Sequence, residues 1–302
     1  MEFDALLNCF SSSSCLVTQT TSGLVIGLLM FLTASGLTLV FGVLGIANFA
    51  HGAFYMLGAY MAYSVYQGTG SYALAVVGAA LFAAAAGILF ERWIVRPIRG
   101  ADVLMQLVAC YALVMIIDDV AKLIWGPAAV SLGMPESMRL PPVGFQGGVV
   151  PVFYLVLMAL SVAIGLFIWL LITRTRFGLT MRAVAELPQM AAALGKPINF
   201  YAAVVLALGC GLAGVAGALS APMRAILPGT GFSILLESFV VVVIGGMGSI
   251  PGALVAALLL GFIRSFGSIG FPLFTEGVMF FFMAAVLILR PNGLFARAAR
   301  TH

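Results

Sequence analysis

From Gly23 to Tyr66 the chain runs for 44 residues without a single Asp, Glu, Lys or Arg. A helix rising about 1.5 Å per residue crosses a hydrocarbon core of about 30 Å in about 20 residues. The run is therefore too long for one crossing. Its middle reads GIANFAHG, where Gly45, Asn48, His51 and Gly52 interrupt the apolar residues, so two spans meeting at a break are expected. Backbone freed from helical pairing at membrane depth must be buried in protein or face a water-filled cavity, because lipid offers neither donor nor acceptor. The break is thus a candidate part of a path through the membrane.

Composition generalises the point. The 302 residues are 63% hydrophobic and 8% charged, against about 25% charge in soluble domains. Too little polar surface exists to wrap a water-facing globule, which excludes soluble enzymes and nucleic-acid binding. Further spans are expected at 71–90, 103–125, 149–172 and 200–221. A second broken run follows, 233–246 and 250–266 around GGMGSIPG, and then a final span at 275–289. The fold class expected is an all-α polytopic membrane protein of eight or nine helices with two broken segments, one transmembrane domain over residues 1–302.

Ten of the 14 basic residues fall in three groups: Arg92, Arg96, Arg99; Arg174, Arg176, Arg182, Lys196; and Arg290, Arg297, Arg300. The positive-inside rule puts all three in the cytoplasm. An even number of crossings must then separate the second and third groups, giving nine in all if 233–246 and 250–266 each cross. If 233–246 dips in and returns, the count is eight. The same parity puts the N-terminus outside and the C-terminus in the cytoplasm of a cell's inner membrane. Residues 1–22 form a short outer segment in which MEFDALLNCF reads as an interfacial helix, and no cleaved signal is expected because no basic n-region precedes the apolar run. Cys9 and Cys15 face an oxidising compartment. A disulfide between them is one reading; two unpaired residues in a Ser-rich segment is the expectation.

Overlaying the broken segments at an offset of 200 matches Val40, Val43, Gly45, Gly52 and Ala53 with Val240, Val243, Gly245, Gly252 and Ala253. Parity makes the two segments run in the same direction, as in a parallel internal duplication. Transporter folds place substrate paths where such repeats meet. Asn48, His51, Gly52, Tyr55, Gly245, Gly248 and Ser249 are the path candidates, with Asn48 and His51 read as caps of a half-helix end. Tyr55, Met56 and Tyr60 are expected mainly to pack, and the route to be largely apolar. Glu237 and Glu276 are read as solvated helix starts, and Asp118–Asp119 as interfacial charges beside Lys122.

Catalytic chemistry has little to work with. The only Gly–Lys pair, Gly195–Lys196, is followed by proline, so no phosphate-cradling loop forms. Two histidines and no H-E-x-x-H exclude metal-protease chemistry. No cofactor, metal or catalytic residue is expected, and the chain is not an enzyme. The loop over 173–199 holds a short helix starting at Pro188 and stopped by Gly195 and Pro197. Its apolar face of Ala191, Ala192, Ala193 and Leu194, flanked by Arg182 and Lys196, suits docking on another protein.

The stretches GLTLVFGVLGIANFAHGAFYMLGAY, RPIRGAD, RFGLTMRAVAELPQMAAALG, VVVVIGGMGSIPGALVAALLLG and LRPNGLF together resemble the LivH-type permeases of bacterial branched-chain amino acid ABC importers, in order and over nearly the whole chain after residue 20. The resemblance implies a permease subunit that pairs with a second, LivM-like permease, two cytoplasmic ABC ATPases and a periplasmic binding protein, within membrane lipid. The family's ATPase-contacting loop falls on 173–199, so Arg182, Glu186, Ala191, Ala192, Leu194 and Gly195 become coupling candidates. Many relatives carry an acid after NFAHG, where this chain has Ala53, and an acid before the alanines, where it has Gln189–Met190. The superfamily also includes permeases for urea, short amides and aromatic acids. An ion-coupled carrier is the rival from another class; it would need intramembrane acids or histidines, of which His51 and Glu237 are the available ones.

Overall fold

The computed structural model describes residues 8–45, 48–145, 147–270, 272–291 and 293–295. Nine long helices cross or enter the bundle: α1 (Ser13–Leu44), α2 (His51–Thr69), α3 (Tyr72–Phe90), α4 (Val103–Trp125), α5 (Val152–Arg174), α8 (Ile198–Ser220), α9 (Thr230–Gly245), α10 (Ile250–Gly270) and α11 (Thr275–Leu289). Two short helices, α6 (Arg176–Glu186) and α7 (Pro188–Ala193), lie between α5 and α8. A hairpin of β1 (Val143–Phe145) and β2 (Gly148–Val150) precedes α5. Six of these helices, with α3 extended to Val95 by a π-helical turn, are long and apolar enough to span a bilayer; α9 and α11 are shorter apolar helices. The breaks fall where the sequence places them. α1 ends at Leu44 and α9 at Gly245, while α2 starts at His51 and α10 at Ile250, so the 200-residue offset survives to within a residue.

Packing explains which helices meet lipid. Of the α8 span 83% is buried, but of the α4 span only 17%. Helices in lipid gain nothing from hiding apolar surface, so they associate where small residues let backbones approach. Here α3 presents Ala75, Ala79, Ala83 and Gly87, four apart, to α8. A Cβ built on Gly214 of α8 would lie 2.5 Å from the Ala83 Cβ. In the same way Gly23 and Gly27 of α1 pack on the backbone of α10 around Gly261.

The two ends of the bundle differ in charge. Glu91, 2% exposed, pairs with Arg99 at 2.8 Å, and Arg99 also donates to Asn199 at 3.3 Å, tying the α3–α4 connection to the start of α8. At the opposite end the backbones of Val130 and Ile226 exchange hydrogen bonds of 2.9 and 2.8 Å, and β2 packs on Val17 of α1. Arg92, Arg96, Arg99, Arg174, Arg176, Arg182, Lys196 and Arg290 thus cluster at one end, away from the start of α1. Arg297 and Arg300 lie outside the described residues, as does most of the expected interfacial helix, of which the turn 8–11 is helical.

One expectation is corrected. Cys9 and Cys15 form a disulfide, because the turn before α1 brings their Cα atoms to 5.2 Å, inside the range a bridge requires. Alkylation of denatured, unreduced protein should label Cys110 and Cys210 alone. Labelling of all four would refute the bridge.

Candidate translocation site

The second helix begins with a local device. Asn48 Oδ1 accepts from the Ala50 N–H at 3.0 Å and the Asn48 carbonyl from the His51 N–H at 3.1 Å, so an Asx turn supplies partners that the broken helix lacks. His51, fully enclosed, donates from Nε2 to the Thr33 carbonyl at 2.9 Å. The next residue, Gly52, meets the carbonyl of Gly231; a Cβ there would collide with the α9 backbone, and Leu235 N would stand 2.8 Å away.

Beside this seam, toward the less basic end, lies a chamber of about 180 Å³ walled by α2, α8, α9, α10 and α11. Tyr55 and Ser220 join hydroxyls across it. Glu237 of α9 pairs with Arg264 of α10 at 2.5 Å, their side chains 19% and 20% exposed. Arg224, just past α8, and Glu276, in the first turn of α11, line the same space and have no ion-pair partner among the described residues. A narrow extension of about 40 Å³ reaches down to Thr33, whose carbonyl holds His51. The extension thus ends beside the residue that holds His51.

Further along α1 than Thr33 the backbones close. A Cβ on Gly36 would lie 2.5 Å from the Gly209 carbonyl, one on Gly42 3.1 Å from the Gly248 Cα, and one on Gly245 2.5 Å from the Gly252 carbonyl carbon. The two broken segments do meet, at Gly42 and Gly248. Gly246 and Gly248 hold φ of 97° and 84°, the left-handed region that glycine enters freely. Ser249 accepts from the Gly252 N–H at 3.2 Å and so caps α10. The orphan carbonyls at the end of α9 are met from further along the chain: Leu294 donates to Ile244 at 2.8 Å and Phe295 to Gly245 at 3.2 Å.

The residues named from sequence therefore divide. Tyr55 lines the chamber; Asn48, His51 and Gly52 form the break and are not part of its lining; Gly245, Gly248 and Ser249 lie in the closed seam. One reading is corrected. Glu237 is not a solvated helix start, because α9 begins at Thr230 and places it a turn and more inside, against Arg264. The chamber wall also holds four charged side chains among its apolar residues. Arg224 and Arg264 were missed. The available signal was two opposite charges, Glu237 and Arg264, in consecutive apolar helices.

At the basic end Thr175 caps α6, accepting from the Gly178 N–H at 3.1 Å. Met181 and Val184 bury the inner face of α6; Arg182 is half-buried and Glu186 is exposed. Proline opens α7, and Gly195, φ 74°, follows its end. The expected small face needs correcting, because Ala191 is 5% exposed and faces inward. What α7 offers to its surroundings is Leu187, Met190 and Leu194, 59%, 64% and 79% exposed, alongside Ala192.

Comparisons with known proteins agree with one another. The family profile described as the branched-chain amino acid transport system / permease component matches residues 19–289. The chain is 31% identical over 292 residues to the high-affinity branched-chain amino acid transport system permease protein BraD of Pseudomonas aeruginosa, covering 92% of this chain and 95% of that one. It is 29% identical over 300 residues to LivH of Escherichia coli K12, with the same coverage, and 28% identical over 290 residues to a probable LivH of Methanocaldococcus jannaschii, covering 88% of each. Among solved structures, PsaBC from Streptococcus pneumoniae in complex with Fab superposes with a TM-score of 0.54 over 96% of this chain and 95% of that one, at 15% identity, a likeness of fold. With apolar spans, paired broken helices and a family match over nine-tenths of its length, the chain belongs to the permease components of branched-chain amino acid transport systems: it is a multi-pass transport subunit, not an enzyme.

Proposed function

We propose that this chain forms, with a second related permease, the path by which branched-chain or other hydrophobic amino acids enter the cytoplasm through the inner membrane. A periplasmic binding protein delivers the substrate at the chamber end, and two ABC ATPases drive the cycle from the basic end. The family and the names of the relatives support the substrate class and the kinds of partner. The described members of the three basic clusters, all at one end, support a cytoplasmic placement of α6 and α7, with the start of α1 outside.

One observation carries the ATP-driven reading over an ion-coupled carrier. Leu187, Met190 and Leu194 present an apolar face on a short helix in a basic, water-facing segment, covered by no other described residue. Such a face suits a groove on a partner. Arg182, Glu186, Ala192, Leu194 and Gly195 form or frame that coupling surface, with Ala191 anchoring it from within. Tyr55 lines the entry, and the seam from Asn48–Gly52 to Gly245–Ser249 is the barrier that opens during transport. Reconstituted alone, the chain should show no concentrative uptake; with its ATPases, second permease and binding protein it should accumulate substrate only when ATP is present. Accumulation by the chain alone in response to an ion gradient would overturn this reading.

A further inference from the structure

Four charges line a chamber at the entrance of an otherwise apolar bundle, and they are not arranged as two finished salt bridges. Glu237 and Arg264 pair with each other, yet both side chains retain about a fifth of their exposure. Their hydrogen bond uses one of the five guanidinium N–H groups. Arg224 and Glu276 share the wall and pair with neither each other nor any other described residue. The wall thus holds two cations and two anions with unused hydrogen-bonding capacity.

We propose that this chamber is a transit subsite for the zwitterionic head of an α-amino acid. It receives the carboxylate on Arg224 and Arg264 and the ammonium on Glu237 and Glu276, while the aliphatic side chain rests against Met56 and Ile234. The proposal rests on the permease reading and narrows it, because a neutral urea or amide offers neither charge. A simple anion or cation would satisfy only half of the wall, whereas a zwitterion satisfies both halves and leaves the net charge unchanged. Charge-assisted hydrogen bonds are the strong ones, and both partners of this pair keep unused hydrogen-bonding capacity toward the chamber. Glu237 and Arg264 can therefore trade each other for substrate and re-pair behind it. That supports passage rather than retention, the balance a conduit needs between entry and release.

The test is uptake of radiolabelled leucine by the complete complex in proteoliposomes, at equal amounts of chain. The double variant Arg224→Gln/Glu276→Gln breaks no ion pair and is expected to assemble, yet to lower uptake tenfold or more. Glu237→Arg alone and Arg264→Glu alone are expected to lose uptake, and their combination, which restores a pair in reversed order, is expected not to regain it. Wild-type uptake in the double Gln variant, or full rescue by the reversed pair, would overturn the subsite and leave Glu237–Arg264 as a structural bridge. Failure of the unaltered, fully assembled complex to take up leucine would instead overturn the permease reading beneath it.

Discussion

Uptake by the assembled complex is expected to fall to background in the Gly52→Phe variant and to persist at a substantial fraction in Gly165→Phe. Both glycines lack room for a Cβ, but the obstacles differ. At Gly52 the blocking atoms are backbone of α9, the Gly231 carbonyl and Leu235 N, which no rotamer change can move. At Gly165 the blocking atoms belong to the Phe31 ring, 2.5 Å away, which can turn aside into the apolar groove between α1 and α5. Overfilling a packed core costs about 1–3 kcal/mol where side chains can adjust, and more where the backbone itself must separate. Gly248→Phe joins the severe class, since it also requires a φ of 84° from an L residue. Equal activity of the Gly52 and Gly165 variants, at matched expression, would show that the α2–α9 seam is not part of the moving barrier.

The second large effect is expected at the opposite end. Leu194→Glu or Ala192→Glu should insert into the membrane at wild-type levels and yet lower ATP-driven uptake at least tenfold. Both side chains are exposed, so charge there disturbs the partner groove rather than the fold. Ala191→Glu is the contrasting case: at 5% exposure it buries a carboxylate against the bundle and should reduce the amount of chain recovered. Coupled uptake at normal rate in the Leu194 variant would return α7 to the status of a surface loop.

Much of this architecture was legible because bilayer thickness and helix rise fix the length of an apolar run, and because glycine and proline mark its ends. α4 spans Val103–Trp125 as read from composition alone, and the breaks stand within a residue of the offset that the glycines suggested. The chamber was not legible in the same way. Tyr55, Arg224, Glu237 and Arg264 come from four elements with no shared periodicity, and each charge alone looks like a helix end reaching for water. Only their convergence distinguishes a binding wall from interfacial decoration. The inward turn of Ala191 was hidden for a related reason. A six-residue helix has too few turns for its sequence to say which side the rest of the bundle will cover.

The bonds from Leu294 and Phe295 to the end of α9 bear on how the protein is made. The carbonyls of Ile244 and Gly245 leave the ribosome two transmembrane helices before their donors do. Until α10 and α11 have been threaded and the following residues have folded back, the end of α9 holds acceptors that lipid cannot satisfy. Completion of this seam is thereby tied to completion of the last helix, so a half-synthesised permease holds an unfinished end of α9.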